Sequence, residues 1–306
     1  MIRPPKEELD KFFAYYSKDN ECSAYLRLLQ SKWRDRNKYP MGILGNYLKD
    51  EFAITSKANF LTDNIRNLAT MEVTNAKENG AIISEPRIWN NLLSSQPLCF
   101  NLFGEMHYDL NLATEFFKSL FPTRIDKVTS VKFEYSAGRG NKNYTGDHSA
   151  LDVFIEYTKD SKKGFIGIEV KYSESLSEET KETAERNFNR HESEYLRLTS
   201  DDIFIPGSVK YLKQVPISQI WRDHLLAIAH LKDYDTGFFV FLFPKVNIRC
   251  QNGVDEYQKY LNTVDEEKSG FYPRYLDDFI LSLRKIHNKE WTRELEERYL
   301  GVKEII

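Results

Sequence analysis

The stretch from Ser149 to Glu174, SALDVFIEYTKDSKKGFIGIEVKYSE, constrains the fold of this chain more than any other. Two β-rich runs are joined by a short polar, Gly-terminated connection, which predicts a hairpin. Strand side chains alternate faces, so Ile166, Ile168 and Val170 pack one way while Glu169 and Lys171 point the other. On the partner strand the same rule separates Leu151, Val153, Ile155 and Tyr157 from Asp152, Phe154 and Glu156. Two carboxylates and a lysine at one spot are a means of holding a hard divalent cation beside a polarised water. An acid-x-Lys triplet also arises by chance in many strands, where the charged face is merely solvated. The elements around the hairpin therefore have to decide.

A chain of 306 residues has room for one substantial core plus a helical extension, or for two small domains. With 41% hydrophobic and 14% aromatic residues it has the composition of a folded protein. Lys and Arg number 43 against 46 Asp and Glu, a formal charge of -3. The chain is no polycation, so any nucleic-acid contact must come from a local basic surface. Cys22, Cys99 and Cys250 form no CxxC pattern, which suggests neither a disulfide framework nor a zinc site. The N-terminal MIRPPKEELDKFF has no apolar signal core and no apolar run approaches bilayer length, so the expectation is a soluble cytoplasmic protein without membrane contact.

Taken in order, residues 7–38 carry apolar side chains at helical spacing, followed by the basic Lys32, Arg34, Arg36 and Lys38. That cluster is either a solvated helix face or a surface for nucleic acid. Short helices continue through residues 41–95, with Thr62 and Ser84 as helix starts. No flexible linker follows, so residues 1–94 read as a mainly helical N-terminal region and 95–306 as the core with C-terminal helices. Leu110, Leu112, Ala113, Phe116, Phe117 and Leu120 predict a core-facing helix ended by Pro122. Glu105, in the apolar LFGEM, either reaches solvent or has a partner such as a metal or a basic side chain. KVTSVKFEYS (127–136) is a first strand, and AGRGNKNYTGDH after it is a loop. Its Arg139 and Lys142 are either substrate contacts at the mouth of a site or plain surface residues. Past the hairpin, residues 174–198 read as one charged helix exposed on most sides. In ISQIWRDHLLAIAHLK, the residues Ile217, Ile220, Trp221, His224, Ile228 and Leu231 share a face, and His224 reads as a core histidine. Gln219, Arg222 and Asp223 fall opposite or to the side, with Gln219 and Arg222 pointing at the hairpin's acidic face or at water. GFFVFLFP (237–244) has the length of a buried strand, and residues 254–300 read as helical.

Helix, three strands, helix and strand give the order α-β-β-β-α-β, with an acid on the second strand and E-x-K on the third. That combination resembles the PD-(D/E)XK, or restriction-endonuclease-like, nuclease superfamily. The strings SSQPLCFNLFGE, GRGNKNYTGDHSALDVFIEY, GFIGIEVKYSE and QIWRDHLLA are similar to a bacterial family described as PD-(D/E)XK nuclease-like, over most of the chain. The resemblance implies an α/β fold with a mixed central sheet flanked by helices. It implies a metal-dependent nuclease that hydrolyses phosphodiesters by a metal-activated water, DNA being ranked ahead of RNA and endonuclease ahead of exonuclease. Mg2+ is the implied cofactor, with Mn2+ as a substitute. Asp152 and Glu169 match the metal-binding acids, with the main-chain carbonyl of Val170 as a further ligand. Lys171 matches the lysine that orients or deprotonates the water and offsets charge on the phosphate. Glu105 corresponds to the acid of the preceding helix, and Gln219 to the polar position on the second core helix. Arg139, Lys142 and Arg222 are the candidate nucleic-acid contacts, and double-strand cleavage would imply a homodimer. One departure is Leu151, where the superfamily's name places a Pro that is often absent. No GxSxG elbow and no GxxxxGK[ST] loop is present. The competing reading is a non-catalytic module, binding nucleic acid or protein on a nuclease-like fold, and the intact trio speaks against it.

Overall fold

The β-branched and aromatic runs between Lys127 and Tyr275 assemble into one sheet. In the computed structural model, which describes residues 2–79, 83–136, 138–176 and 179–301 with the main chain alone at 78 and 79, that sheet has five strands in sequence order. They are β1 (Lys127–Tyr135), β2 (Leu151–Lys159), β3 (Lys162–Val170), β4 (Thr236–Phe243) and β5 (Phe271–Tyr275). β1, β2 and β3 pair antiparallel, whereas β3–β4 and β4–β5 pair parallel. The α/β class and the mixed, helix-flanked sheet agree with the expectation from sequence. Four strands fall where the residue pattern puts them. β5 does not, since residues 254–300 read as helical; it is five residues long, and Pro273, which has no N–H, is tolerated because the strand is an edge.

The chain divides into two compact units, Met1–Leu120 with Tyr172–Glu174 and Leu276–Ile306, and Phe121–Lys171 with Ser175–Tyr275. The second holds the sheet. Parallel neighbours need a long connection, and the one from β3 to β4 contains the helices Lys181–Arg190, Glu192–Leu198 and Ser218–His230. The third of these packs on the sheet, where Trp221 and Leu225 join Phe154, Phe165, Phe239 and Phe241 in one buried cluster. The single exposed helix expected over 174–198 is two helices that meet at His191, with Ser177 and Glu178 outside the described residues. It is not exposed all round: Phe188 stacks 6.2 Å from Trp221, and Tyr195 meets the same ring edge-on at 5.5 Å. A few apolar side chains in a charged segment suffice when each is large.

Close packing in this unit depends on glycine. A Cβ on Gly237 would lie 2.0 Å from Cε1 of Phe165, whose ring is stacked on Phe154 at 5.1 Å. The ring has nowhere to go, so Gly237→Ala is expected to cost about 1–3 kcal/mol, read as a lowered urea midpoint.

In the first unit, Phe103 stacks on Phe117 at 6.2 Å and Phe116 meets Phe279 edge-on at 5.6 Å. These contacts join the helices Ser95–Tyr108, Leu110–Leu120 and Leu276–Ile286. Arg298 is fully buried within this unit. No helix among the described residues is long and apolar enough to cross a membrane.

Candidate active site

The β2–β3 ladder runs as far as the pair Val153–Ile168. One residue further on, Asp152 replaces a main-chain acceptor with its side chain, Oδ2 accepting the Val170 N–H at 2.8 Å. On the other side of β3 the parallel ladder continues through Glu169–Phe241 and Val170–Leu242, and the Lys171 N–H donates to the Leu242 carbonyl at 2.8 Å. Glu169 and Lys171 are thus held extended by β4 while β2 has already let go. The alternation expected of the hairpin brings the two side chains together: Lys171 Nζ lies 2.7 Å from Glu169 Oε1. Gln219, on the helix Ser218–His230, donates from Nε2 to the same oxygen at 3.1 Å.

This face is buried rather than solvated. Glu169 is 6% exposed, while Asp152 and Lys171 are half-buried. A further acid lies here that the residue pattern did not single out. Asp223 is 6% exposed, and among the described residues its Oδ2 has no hydrogen-bond partner. It stands four residues after Gln219, a spacing that puts both on one helix face; reading Asp223 as the outward side of an amphipathic helix hid it. Arg222 beside it is engaged elsewhere, its guanidinium gripping Glu179 at 3.0 and 3.1 Å while Ser218 Oγ donates to the same carboxylate at 2.7 Å.

Charge in the site is unbalanced. Asp152, Glu169 and Asp223 share the ammonium of Lys171. Burial, then Glu169 and Glu134, push the Asp152 carboxyl well above the usual range, against Lys171 and the Val170 N–H. Burial and Glu169 do the same to Asp223. Burial works against the Lys171 charge, but Glu169, Asp152 and Asp223 overcome it and raise the ammonium's pKa. Among the described residues no three His, Cys, Asp or Glu side chains are gathered closely enough to hold a metal ion by themselves. The donors nevertheless fit a hard divalent cation that keeps several waters. They are oxygen donors, three carboxyl groups beside one ammonium, and among the described residues Glu169 Oε2 accepts no hydrogen bond while Oε1 takes both.

The remaining candidates are placed as follows. Glu105, in the first unit, accepts hydrogen bonds from Thr62 Oγ1 and, at 3.0 Å, from Asn64 Nδ2. Thr62 also accepts the Ile65 N–H at 3.2 Å, at the start of the helix Asp63–Asn79. Arg139 braces its own loop, donating at 3.1 Å to the carbonyls of His148 and Glu134. Lys142 is exposed on that loop, whose Ala137 lies outside the described residues. His224 is buried, hydrogen-bonded to Tyr257 at 2.8 Å, and burial lowers its pKa to about 3.

Asp147, at the end of the same loop, is a second acid that the residue pattern left without a role. Thr145, Ser149 and Tyr195 donate to its carboxylate at 2.6, 2.8 and 2.7 Å, and the Ser149 N–H at 3.0 Å. Burial raises its pKa, but these bonds prevail and hold it below the ordinary value. Stability from such a group is complete above the unfolded-state pKa and is lost as pH falls through the folded one. Tyr195→Phe is expected to cost about 1–2 kcal/mol at neutral pH. The difference from wild type should shrink on acidification below the carboxylate range, as measured by urea unfolding across pH.

A family model described as PD-(D/E)XK nuclease superfamily matches residues 17–301. No curated protein matches the chain, and neither does any solved structure.

Proposed function

The chain belongs to the PD-(D/E)XK nuclease superfamily, and on that premise we propose that it is a divalent-cation-dependent phosphodiesterase acting on nucleic acid, DNA ahead of RNA, by internal cleavage. The observation that carries this reading is the convergence of Lys171 and Gln219 on one Glu169 oxygen beside Asp152. Asp152, Glu169 and the Val170 carbonyl are the proposed ligands of Mg2+, or of Mn2+ in its place. In a strand, the N–H and C=O of one residue point to the same side, so the Val170 carbonyl faces the edge from which its N–H reaches Asp152. The cation would polarise a water and offset charge on the phosphate. Lys171, held protonated by the surrounding carboxylates, orients that water and stabilises charge building on the phosphate oxygens. Gln219 fixes the Glu169 rotamer through Oε1 and leaves Oε2 for the cation. Lys142, exposed on its loop, is the proposed contact to the substrate backbone, with Arg139 keeping the loop in shape.

The test is incubation of plasmid, linear and single-stranded DNA and of RNA with purified protein and Mg2+ or Mn2+, alongside Glu169→Ala and Lys171→Ala. Wild type is expected to cut at least one substrate and both variants to fail. If wild type and variants behave alike on every substrate, the chain is a binding module on a nuclease fold.

A further inference from the structure

Asp223 carries a buried carboxyl group whose Oδ2 has no hydrogen-bond partner among the described residues. A buried carboxyl oxygen without a protein donor is costly, and a second arrangement in which a donor reaches it accounts for its place here. Asp223 lies one helical turn beyond Gln219, whose side chain already touches Glu169 at 3.1 Å. Two cationic side chains act on it, Arg222 and Lys171. Arg222 is closed off by its two-point pairing with Glu179. Among the described residues Lys171 is held at one point, 2.7 Å from Glu169 Oε1. Its flexible stem and three rotatable donors suit the ammonium to a change of partner. While it stays on Glu169, that carboxylate is neutralised by the chain itself.

We infer that Asp223 is the second seat of the Lys171 ammonium: when Glu169 turns to a divalent cation, Lys171 passes from Glu169 Oε1 to Asp223 Oδ2 and stays charged beside the site. Asp223 is then a positioning residue. It lowers the cost of freeing Glu169 and keeps the lysine within reach of the reacting phosphate. The inference rests on the reading of Asp152, Glu169 and Lys171 as a cation-dependent site.

The experiment is calorimetric titration of the full chain with Mn2+ alone, for wild type, Asp223→Asn, Lys171→Met and the double variant, with thermal midpoints recorded for each metal-free protein. Asp223→Asn is expected to weaken Mn2+ binding about tenfold. Its metal-free midpoint should equal or exceed that of wild type, because the amide removes a buried ionisable group whose charged form burial and Glu169 disfavour. In the Lys171→Met background the same substitution should change Mn2+ affinity by less than about threefold, since no ammonium needs a seat. Wild-type affinity in Asp223→Asn overturns the inference, as does an equal loss in both backgrounds, which would mean that Asp223 acts on the cation directly. A lowered metal-free midpoint accompanying the weaker binding also overturns it, in favour of a purely structural role. Failure of the underlying reading looks different: wild type then binds no Mn2+, or Glu169→Ala binds it equally well, and both ideas fall together.

Discussion

Lys171→Met is expected to slow phosphodiester cleavage by about 10²–10⁴-fold while leaving Mn2+ affinity at or above that of wild type. The two halves of this expectation come from the same contact. Lys171 Nζ sits on Glu169 Oε1 at 2.7 Å, with both side chains largely buried, so before any cation arrives it is the ammonium that neutralises the acid. Removing it takes away the group proposed to orient water and offset phosphate charge. It also removes the competitor for the carboxylate. Asp152, Glu169 and Asp223 then lose the ammonium they share, and Mn2+ should raise the thermal midpoint of Lys171→Met more than that of wild type, because a ligand that binds only the folded state adds stability that grows with its concentration relative to Kd. Single-turnover cleavage and calorimetry with Mn2+ separate the two effects. A variant that loses Mn2+ binding as fully as Glu169→Ala would show the lysine to be a structural member of the site rather than a chemical one.

Arg298→Met is expected to cost the first unit about 3–4 kcal/mol. Arg298 is completely buried, yet its hydrogen-bond partners are amides rather than carboxylates. Its Nε donates to Gln30 Oε1 at 3.0 Å, and its Nη atoms reach the Asn59 carbonyl at 2.7 Å and Asn59 Oδ1 at 2.6 Å. The guanidinium lies over the ring of Trp33 at 4.2 Å and that of Tyr299 at 4.8 Å. Gln30 in turn donates to Tyr172 Oη at 2.8 Å, and Asn59 donates to the Ile88 carbonyl at 3.0 Å. One side chain near the end of the chain therefore ties together segments from four places in the sequence. Met fills much of the volume but leaves Gln30 Oε1 and Asn59 Oδ1 without their donor, while the Asn59 carbonyl keeps the Asn101 Nδ2 bond at 2.9 Å; each dry acceptor costs more than the bond that satisfied it gained. Urea unfolding measures the loss. Arg298→Lys should recover only part of it, since an ammonium lacks the planar fork that spans Asn59 and Gln30. A loss below about 1 kcal/mol in Arg298→Met would mean that the acceptors find water or another donor.

The sheet and the trio on it were largely legible in the residues, because both depend on local pattern. Alternation in the hairpin set which side chains share a face, and β-branched or aromatic runs marked four of the five strands. β5 escaped because FYPRY is short and holds a Pro, which argues against a strand unless its edge position is known. Asp223 and Arg298 escaped for a shared reason. Charged residues on amphipathic helices are mostly solvated, and only the packing of distant segments buries these two. Tyr195 and Asp147 are 48 positions apart, and their pairing follows from the break at His191, which no propensity in that charged segment announces. What local pattern missed is thus the polar interior, where partners come from remote parts of the chain.

The most direct test of the central claim is the rate of nucleic-acid cleavage by the wild-type chain as a function of free Mg2+ concentration, on the substrate it cuts best. The expected result is a rate that is zero in chelator, rises with Mg2+ and saturates, and that Glu169→Ala abolishes at every concentration. Cleavage that persists in chelator, or that survives in Glu169→Ala, would contradict the assignment of Asp152, Glu169 and Lys171 as the site of chemistry.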